Sequence, residues 1–281
     1  MKYAFFGSPR FAEIILRGLI EHHYMPTVVV CNPDKPVGRK HIITPPPTKV
    51  VARDYPSITV LQPDSKDAVS ALATHPLVTT CDIAIVAAYA RIIPKTVLEA
   101  FKMGAIGVHP SLLPRHRGAS PIQQTILDGD VVGGVTLYRM DEFMDHGPMY
   151  AQKELLTRVD RATYQSLIED LGALSVNMLL ELIPLLENNA TSLTAQDESR
   201  ATHTKKFTTD DGFVDMEKDS PVTIDRKIRA LNPDPGAYAI MNGKRTKLVS
   251  GTINTDGSYT ITSVIPEGKK EQCVSIVVPS R

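Results

Sequence analysis

The sequence contains no tryptophan, only three cysteines and no long apolar run. Cys31, Cys81 and Cys273 are far apart and show no CxxC spacing, which argues against a disulfide framework and against a zinc site. No segment approaches the roughly 20 consecutive apolar residues of a membrane span. The first residues lead straight into Gly7 and Pro9 without the apolar core of a signal peptide. We therefore expect a cytoplasmic protein that does not enter a membrane.

Net charge is also lacking, because 31 Lys and Arg residues are balanced by 31 Asp and Glu residues. This balance excludes a strongly basic nucleic-acid coat, so any negatively charged partner has to be bound by a local patch. The chain has 281 residues, 42% of them hydrophobic. That length is sufficient for one large domain and a small one.

The N-terminal part of the chain alternates between strand and helix patterns. Residues 2–6 and 27–31 form short apolar runs, and residues 11–19 between them carry apolar side chains at helical spacing. Continuous apolar runs are typical of parallel strands that are covered on both faces. Ser8 is placed to cap the helix, with Pro9 at its first position. The sequence therefore predicts an α/β fold with a predominantly parallel sheet.

Two later apolar runs, at residues 83–87 and 105–109, predict further strands of this sheet. The second run delivers His109 at its carboxyl end, which is the edge where open α/β sheets bind ligands. Residues 163–186 have the apolar spacing of a long amphipathic helix. This helix is expected to close the first domain.

The composition changes after residue 202, where short alternating segments replace the aliphatic runs. The dipeptides Asn242-Gly243 and Asp256-Gly257 predict β-hairpin turns, and residues 221–231 predict one helix. We therefore expect a large domain over 1–189, a linker over 190–207 and a small β-rich domain over 208–281.

Residues 32–49 are rich in proline and basic side chains and show no periodicity. The sequence predicts a long, exposed, basic loop here. A structureless segment of this length inside a compact domain is usually functional or disordered.

Few residues point to chemistry without further context. The GxGxxG motif of dinucleotide binding and the GxxxxGK[ST] phosphate loop are both absent. His109 can act as a general base or an oxyanion donor, or it can simply bond to the backbone. Asp141 and Asp145 can orient an imidazole or accept a proton, or they can cap a turn. The residues by themselves leave these alternatives open.

Several segments nevertheless resemble a known family. The residues concerned include Gly7-Ser8-Pro9, the block that starts at His109-Pro110-Ser111-Leu112-Leu113-Pro114, and Asn232-Pro233-Asp234-Pro235-Gly236. The chain is similar to the methionyl-tRNA formyltransferases, a branch of the 10-formyltetrahydrofolate-dependent formyltransferases. The resemblance spans nearly the whole chain, in segments 7–12, 32–39, 87–94, 109–123, 140–147, 229–238 and 242–244.

The resemblance implies a Rossmann-like catalytic domain followed by a small, shortened barrel of the OB type. It implies transfer of a formyl group from 10-formyltetrahydrofolate to initiator methionyl-tRNA, with His109 and Asp145 as the catalytic pair. The residues implied to contact the folate are Ser111, Leu112, Leu113, Pro114, Tyr89, Ala90, Arg91, Ile92 and Ile93. The residues expected to contact the tRNA are Lys35, Arg39, Lys40, Lys244 and Arg245.

One position departs from the family pattern. The family has asparagine two residues before the catalytic histidine, where its amide helps to hold the formyl oxygen, and this chain has Gly107. Removal of one oxyanion donor typically costs about 2.7 to 4 kcal/mol of transition-state stabilisation. A water or a neighbouring donor can substitute, or the protein is a weak relative, or the sequence is an engineered variant.

Three functions therefore stay open at the level of sequence. The first is formyl transfer to methionyl-tRNA, and the second is the same chemistry on a small amine such as an amino sugar. The third is a folate- or RNA-binding protein with little activity because of Gly107. No metal is expected, because no His, Cys and Asp cluster has ligand spacing, and we expect a monomer.

Overall fold

The computed structural model describes residues 1–38 and 40–280, which form two compact units. The first unit consists of Met1–Gly118, Gly134–Leu156 and Ile168–His203. The second unit consists of Ala119–Gly133, Thr157–Leu167 and the chain from Thr204 onward. No helix among the described residues has the length and apolar character needed to cross a membrane.

The elements follow one another along the chain as strands with intervening helices. The strands are β1 (Tyr3–Gly7), β2 (Val28–Val30), β3 (Lys35–Val37), β4 (Ile42–Thr44), β5 (Thr59–Leu61), β6 (Ile83–Ala87), β7 (Ala105–His109), β8 (Arg117–Gly118), β9 (Gly134–Arg139), β10 (Met149–Glu154), β11 (His203–Thr204), β12 (Tyr238–Met241), β13 (Lys244–Ile253), β14 (Tyr259–Pro266) and β15 (Gln272–Val278). The helices are α1 (Arg10–Glu21), α2 (Pro47–Arg53), α3 (Lys66–Ser70), α4 (Pro76–Thr79), α5 (Lys95–Leu98), α6 (Pro121–Asp128), α7 (Tyr164–Glu187) and α8 (Pro221–Leu231).

The first unit is built on a seven-stranded sheet with the order β10-β9-β7-β6-β1-β2-β5. Strands β1, β2, β5, β6 and β7 are mutually parallel, whereas β9 runs antiparallel to β7 and to β10. Every residue of β1, β2, β6 and β7 is buried, as expected for strands that are covered on both faces. The predicted α/β fold with a mostly parallel sheet is confirmed.

The carboxyl ends of β1, β6 and β7 lie side by side. Gly7 is paired with Ala87, and Val86 is paired with Gly107, so His109 emerges at the same edge. The prediction that Ser8 caps the first helix was wrong. Its hydroxyl instead accepts a hydrogen bond from the backbone N–H of Asn32 at 2.9 Å. That bond joins the turn after β1 to the segment after β2.

The prediction of a structureless loop over residues 32–49 was also wrong. The described part of it forms a two-stranded antiparallel hairpin of β3 and β4, followed by the start of α2. All residues of both strands are exposed. Because such strands have no buried face, they produce no alternation of apolar and polar residues in the sequence.

The second unit contains an antiparallel sheet whose strands β12, β13, β14 and β15 pair in chain order. The turn between β12 and β13 is Asn242-Gly243, and both residues have positive φ, as a two-residue hairpin of type I′ requires. Helix α8 packs Ile224 and Ile228 against the buried side chains of this sheet. The predicted β-rich C-terminal domain with one helix is confirmed.

Candidate active site

His109 lies at the carboxyl end of β7 and is only 6% exposed. Its Nε2 atom is 2.8 Å from the carbonyl oxygen of His116. Because a carbonyl oxygen only accepts, Nε2 carries the hydrogen and donates it. The other ring nitrogen, Nδ1, faces Asp145, with 3.6 Å between Nδ1 and Oδ2. The imidazole is therefore fixed at one nitrogen and directed towards a carboxylate at the other.

Asp145 lies in the acidic turn after β9, with a positive φ of 51°. Its Oδ2 atom accepts a hydrogen bond from the backbone N–H of Gly118 at 2.7 Å. Its Oδ1 atom accepts one from the hydroxyl of Tyr138, also at 2.7 Å. Two donors thus hold the carboxylate in the orientation that faces His109.

The backbone of this turn is held by Gln196. Its amide nitrogen donates to the carbonyl oxygens of Asp145 at 2.9 Å and Gly147 at 2.8 Å. The amide oxygen of Gln196 accepts from the guanidinium of Arg117. Arg117 also pairs with Glu198 at 2.6 Å, and the hydrogen bond to Glu198 raises the pKa of Arg117. Residues 190–207, predicted as a linker, therefore supply part of the support for the site.

The two acidic candidates, Asp141 and Asp145, have different partners in the structure. Asp141 accepts a hydrogen bond from the backbone N–H of Phe143 and lies 2.7 Å from Nδ1 of His146. These contacts stabilise the turn, and the carboxylate that faces His109 is that of Asp145. For Asp141, the turn-capping alternative is the one that the structure supports.

The segment after His109 is held rigidly through Thr136. The Thr136 hydroxyl donates to the carbonyl of Ser111 at 2.7 Å and accepts from the N–H of Leu113 at 3.1 Å. The amide of Gln152 donates to the carbonyl of Leu113, and the Ser111 hydroxyl donates to the carbonyl of Arg115. Ser111, Leu113 and Pro114 are buried, and Leu112 is half-buried. The loop is therefore held in shape by side chains of β9 and β10 together with its own Ser111 hydroxyl.

The segment after β6 has the opposite character. Its first residues, Ala88 and Ala90, both have positive φ, and no hydrogen bond between described residues uses the backbone of residues 89–93. The Tyr89 ring is buried, and its hydroxyl has no hydrogen-bond partner among the described residues. Burial raises the pKa of Tyr89 to about 12, so the hydroxyl is a protonated donor.

The remaining members of this segment differ in exposure. Ile92 is 81% exposed and Ile93 is buried. Arg91 donates to the Asn32 side chain and to the carbonyl of Asp64. Since β6 and β7 are adjacent and parallel, this segment and the one after His109 leave the same edge of the sheet.

The basic candidates belong to two different units. Lys35 and Lys40 are exposed on the hairpin of β3 and β4, and Arg39 lies outside the described residues. Lys244 and Arg245 are exposed at the start of β13 in the second unit. The Arg245 guanidinium lies 3.8 Å from the centre of the Tyr238 ring, which is a cation–π distance.

Gly107 lies in the middle of β7, directly opposite Tyr138 of β9. A Cβ atom at position 107 would lie 2.2 Å from a carbon of the Tyr138 ring. Sequence reasoning missed Tyr138, the Gly118 N–H and Gln196. The one available signal was Gly107 itself, because a glycine inside a buried strand often marks the close approach of a neighbouring group.

Comparisons with known proteins cover both parts of the chain. Residues 1–183 match the formyl transferase family, and residues 206–275 match the formyl transferase C-terminal domain. The chain is 40% identical over 259 residues to a methionyl-tRNA formyltransferase of Thermotoga neapolitana, covering 92% of this chain and 81% of that protein. It is 33% identical to that of Macrococcus caseolyticus, covering 96% of this chain and 92% of that protein.

Solved structures share the fold at lower identity. A methionyl-tRNA formyltransferase from Clostridium thermocellum superposes with a TM-score of 0.62 at 14% identity, covering 98% of this chain and 100% of that one. HypX from Aquifex aeolicus in complex with tetrahydrofolic acid superposes with a TM-score of 0.68 at 20% identity, covering 100% of this chain. This chain spans 46% of the length of that HypX chain.

Proposed function

Since this chain belongs to the formyl transferase family, we propose that it transfers a formyl group from 10-formyltetrahydrofolate to the α-amino group of initiator methionyl-tRNA. The observation that carries the proposal is the pairing of His109 with Asp145 at the carboxyl edge of the sheet. Relatives named methionyl-tRNA formyltransferase at 33% to 40% identity over most of the chain support the choice of acceptor.

The chemistry requires an acid–base group beside the formyl carbon. The amine attacks that carbon, a C–N bond forms, the bond to N10 of the folate breaks, and the amine loses a proton while N10 gains one. His109 polarises the formyl oxygen or takes the proton of the amine, and Asp145 orients the imidazole and assists the transfer. A proton that arrives on Nδ1 of His109 has the Asp145 carboxylate beside it, while Nε2 keeps its carbonyl partner.

The segments on both sides of this pair suit a folate donor. A pterin ring carries several hydrogen-bonding groups, and the backbone of residues 89–93 is not engaged by other described residues. The buried Tyr89 hydroxyl is an unpartnered donor in the same segment. Exposed Ile92 offers an apolar surface, and residues 111–114 form a rigid wall. We assign Tyr89, Ala90, Arg91, Ile92 and Ile93 with Ser111, Leu112, Leu113 and Pro114 to the folate pocket.

The tRNA requires local positive charge, because the net charge of the chain is zero. We assign this role to Lys35 and Lys40 on the β3–β4 hairpin, with Arg39 between them on the basis of sequence alone. Lys244 and Arg245 are the second basic group, and phosphate contacts of both groups make binding salt-dependent. The reaction implies a cytoplasmic enzyme, and a monomer carries every residue assigned here.

The proposal is tested by steady-state formylation of charged initiator tRNA with the full chain. His109→Ala is expected to lower kcat by at least 100-fold while the thermal unfolding curve keeps its shape. His22→Ala, which removes an exposed histidine at the end of α1, is the matched control and should keep wild-type kcat. Equal activity of the two variants would refute the assignment. Formylation of an amino sugar but not of methionyl-tRNA would show that the acceptor is a small amine and not the tRNA.

A further inference from the structure

Tyr138 and Gly107 form an interlocked pair across two antiparallel strands. They are direct neighbours in the register of β7 and β9, and the Tyr138 ring fills the space next to the Cα atom of Gly107. The hydroxyl oxygen of Tyr138 lies 2.7 Å from the place where a Cβ atom at position 107 would be. An amide nitrogen of asparagine, two covalent bonds beyond its Cβ, reaches a similar distance. The two side chains therefore compete for one location.

The Tyr138 hydroxyl has one role in the described structure. The ring is 3% exposed, and burial, followed by the negative charge of Asp145, raises the pKa of the phenol well above its usual value. The hydroxyl therefore stays protonated and donates to Oδ1 of Asp145 at 2.7 Å. A carboxylate oxygen in this partly buried place is costly without a donor.

We propose that Tyr138 is a positioning residue of this active site, which reaches across from β9 into the space left by Gly107 and directs the Asp145 carboxylate towards His109. The inference rests on the proposed formyl transfer and adds a residue to it. The Gly118 N–H holds Oδ2 of Asp145, so the Tyr138 hydroxyl is the second of two points that define the carboxylate plane. With one point left, the carboxylate can rotate about its bond to Cβ.

The hydroxyl can be removed without emptying the space beside Gly107. Tyr138→Phe keeps the ring and loses only the hydrogen bond to Asp145. We expect kcat to fall roughly 10- to 100-fold, which is the rate change that corresponds to the energy of one hydrogen bond to a charged group, with KM for both substrates within twofold. A wild-type kcat in Tyr138→Phe would overturn the proposal, because the ring would then serve only to fill space.

Tyr3→Phe is the matched control for loss of a buried phenol. Tyr3 lies at the start of β1, at the opposite end of that strand from the site, is 2% exposed and donates to the carbonyl of Tyr24 at 2.8 Å. We expect it to lower the melting temperature about as much as Tyr138→Phe does while leaving kcat unchanged. A matching fall in kcat in Tyr3→Phe would show that general destabilisation explains the effect and would overturn the proposal.

The competition for space gives a second, independent test. Gly107→Asn alone places Cβ against the Tyr138 ring and is expected to lower both the melting temperature and kcat. Tyr138→Leu vacates that space but removes the donor. The double variant removes this clash, so its melting temperature should exceed that of Gly107→Asn alone. Additive losses of melting temperature in the double variant would overturn the claim that the two side chains compete for one location.

The same assays separate this inference from the proposed function. If the unmodified chain fails to formylate charged initiator tRNA, the proposed function fails first. If it formylates the tRNA and Tyr138→Phe does so equally fast, formyl transfer stands and the role of Tyr138 is refuted.

Discussion

Replacement of Asp145 by asparagine changes the charge of the site with little change in shape. The carboxylate receives two hydrogen bonds, from the Gly118 N–H and the Tyr138 hydroxyl, and faces Nδ1 of His109. Asparagine is neutral and has a single acceptor oxygen, so in Asp145→Asn one of the two donors loses its acceptor and the other keeps only a neutral one. The negative charge beside the imidazole is lost at the same time.

The expected magnitudes follow from these contacts. A hydrogen bond to a charged group contributes about 1.5 to 3 kcal/mol, and a neutral one about 0.5 to 1.5 kcal/mol. One bond weakens by about 1 to 1.5 kcal/mol and the other, of about 1.5 to 3 kcal/mol, is lost, so Asp145→Asn should lower the free energy of unfolding by about 2.5 to 4.5 kcal/mol. This loss shifts the melting temperature by roughly 5 to 18 °C in a protein of this size. Acid–base catalysis by a positioned group contributes about 10²- to 10⁴-fold, and we expect the single-turnover rate to fall within that range.

Asp141→Asn is the matched control, four residues away in the same turn. Asp141 contacts Phe143 and His146, so this variant should keep the formylation rate within threefold of wild type. Both variants are assayed by single-turnover formylation and thermal unfolding. Similar rates for the two variants, or a wild-type rate for Asp145→Asn despite a lower melting temperature, would refute the reasoning that the Asp145 charge takes part in the reaction.

Three further predictions use other parts of the chain. Gln196→Ala removes two hydrogen bonds to the turn of Asp145, so formylation kinetics should show kcat about 10-fold lower; an unchanged kcat would contradict the supporting role. Lys40→Ala should weaken tRNA binding and reduce the slope of log affinity against log salt by roughly 0.7 to 0.9 in filter binding, whereas an unchanged slope would exclude a phosphate contact. The hydrogen bond from Lys205 lowers the pKa of Asp211 to about 2, so its stabilisation is present above the unfolded value near 3.8 and is lost as pH falls towards 2. Between pH 4 and 2, the free energy of unfolding measured by chemical denaturation should therefore fall less in Asp211→Asn than in the wild type. An equal fall in both proteins would contradict this linkage.

The sheet could be predicted from the sequence because its strands are buried on both faces. Residues 83–87 form a continuous apolar run, residues 105–109 are apolar up to His109, and β6 and β7 have these bounds. Their apolar sequences alone indicate strands that are buried on both faces, so they can be recognised without knowledge of the rest of the fold. The hairpin at Asn242-Gly243 was predictable for another reason, because its two residues accept the positive φ values that the turn needs.

The strands β3 and β4 could not be predicted in this way. They are short and exposed, and β3 contains Pro36, so neither apolar periodicity nor strand preference marks them. Ser8 shows a different limit. Its position before α1 is that of a capping residue, but the Asn32 N–H, 24 residues later, forms the hydrogen bond with its hydroxyl. Contacts that depend on the packing of distant segments are not encoded in local pattern.

In the candidate active site, too, local sequence predicts some features, whereas others depend on contacts between distant segments. His109 could be placed at the edge of the sheet from its strand alone, whereas the roles proposed for His109 and Asp145 came from family resemblance. The contact of Tyr138 with Gly107 depends on the register between β7 and β9. The hydrogen bonds of Gln196 come from a segment about 50 residues beyond the turn that they hold. These supporting contacts become visible only in three dimensions.

The proposed activity is tested most directly by single-turnover transfer of a labelled formyl group from 10-formyltetrahydrofolate to charged initiator methionyl-tRNA by the unmodified chain. Formylmethionyl-tRNA should form in a yield set by the enzyme concentration, and no product should form when uncharged tRNA is supplied. If tetrahydrofolate and tRNA both bind but no label reaches the amino group, the chain is a binding protein and the claim of formyl transfer is contradicted.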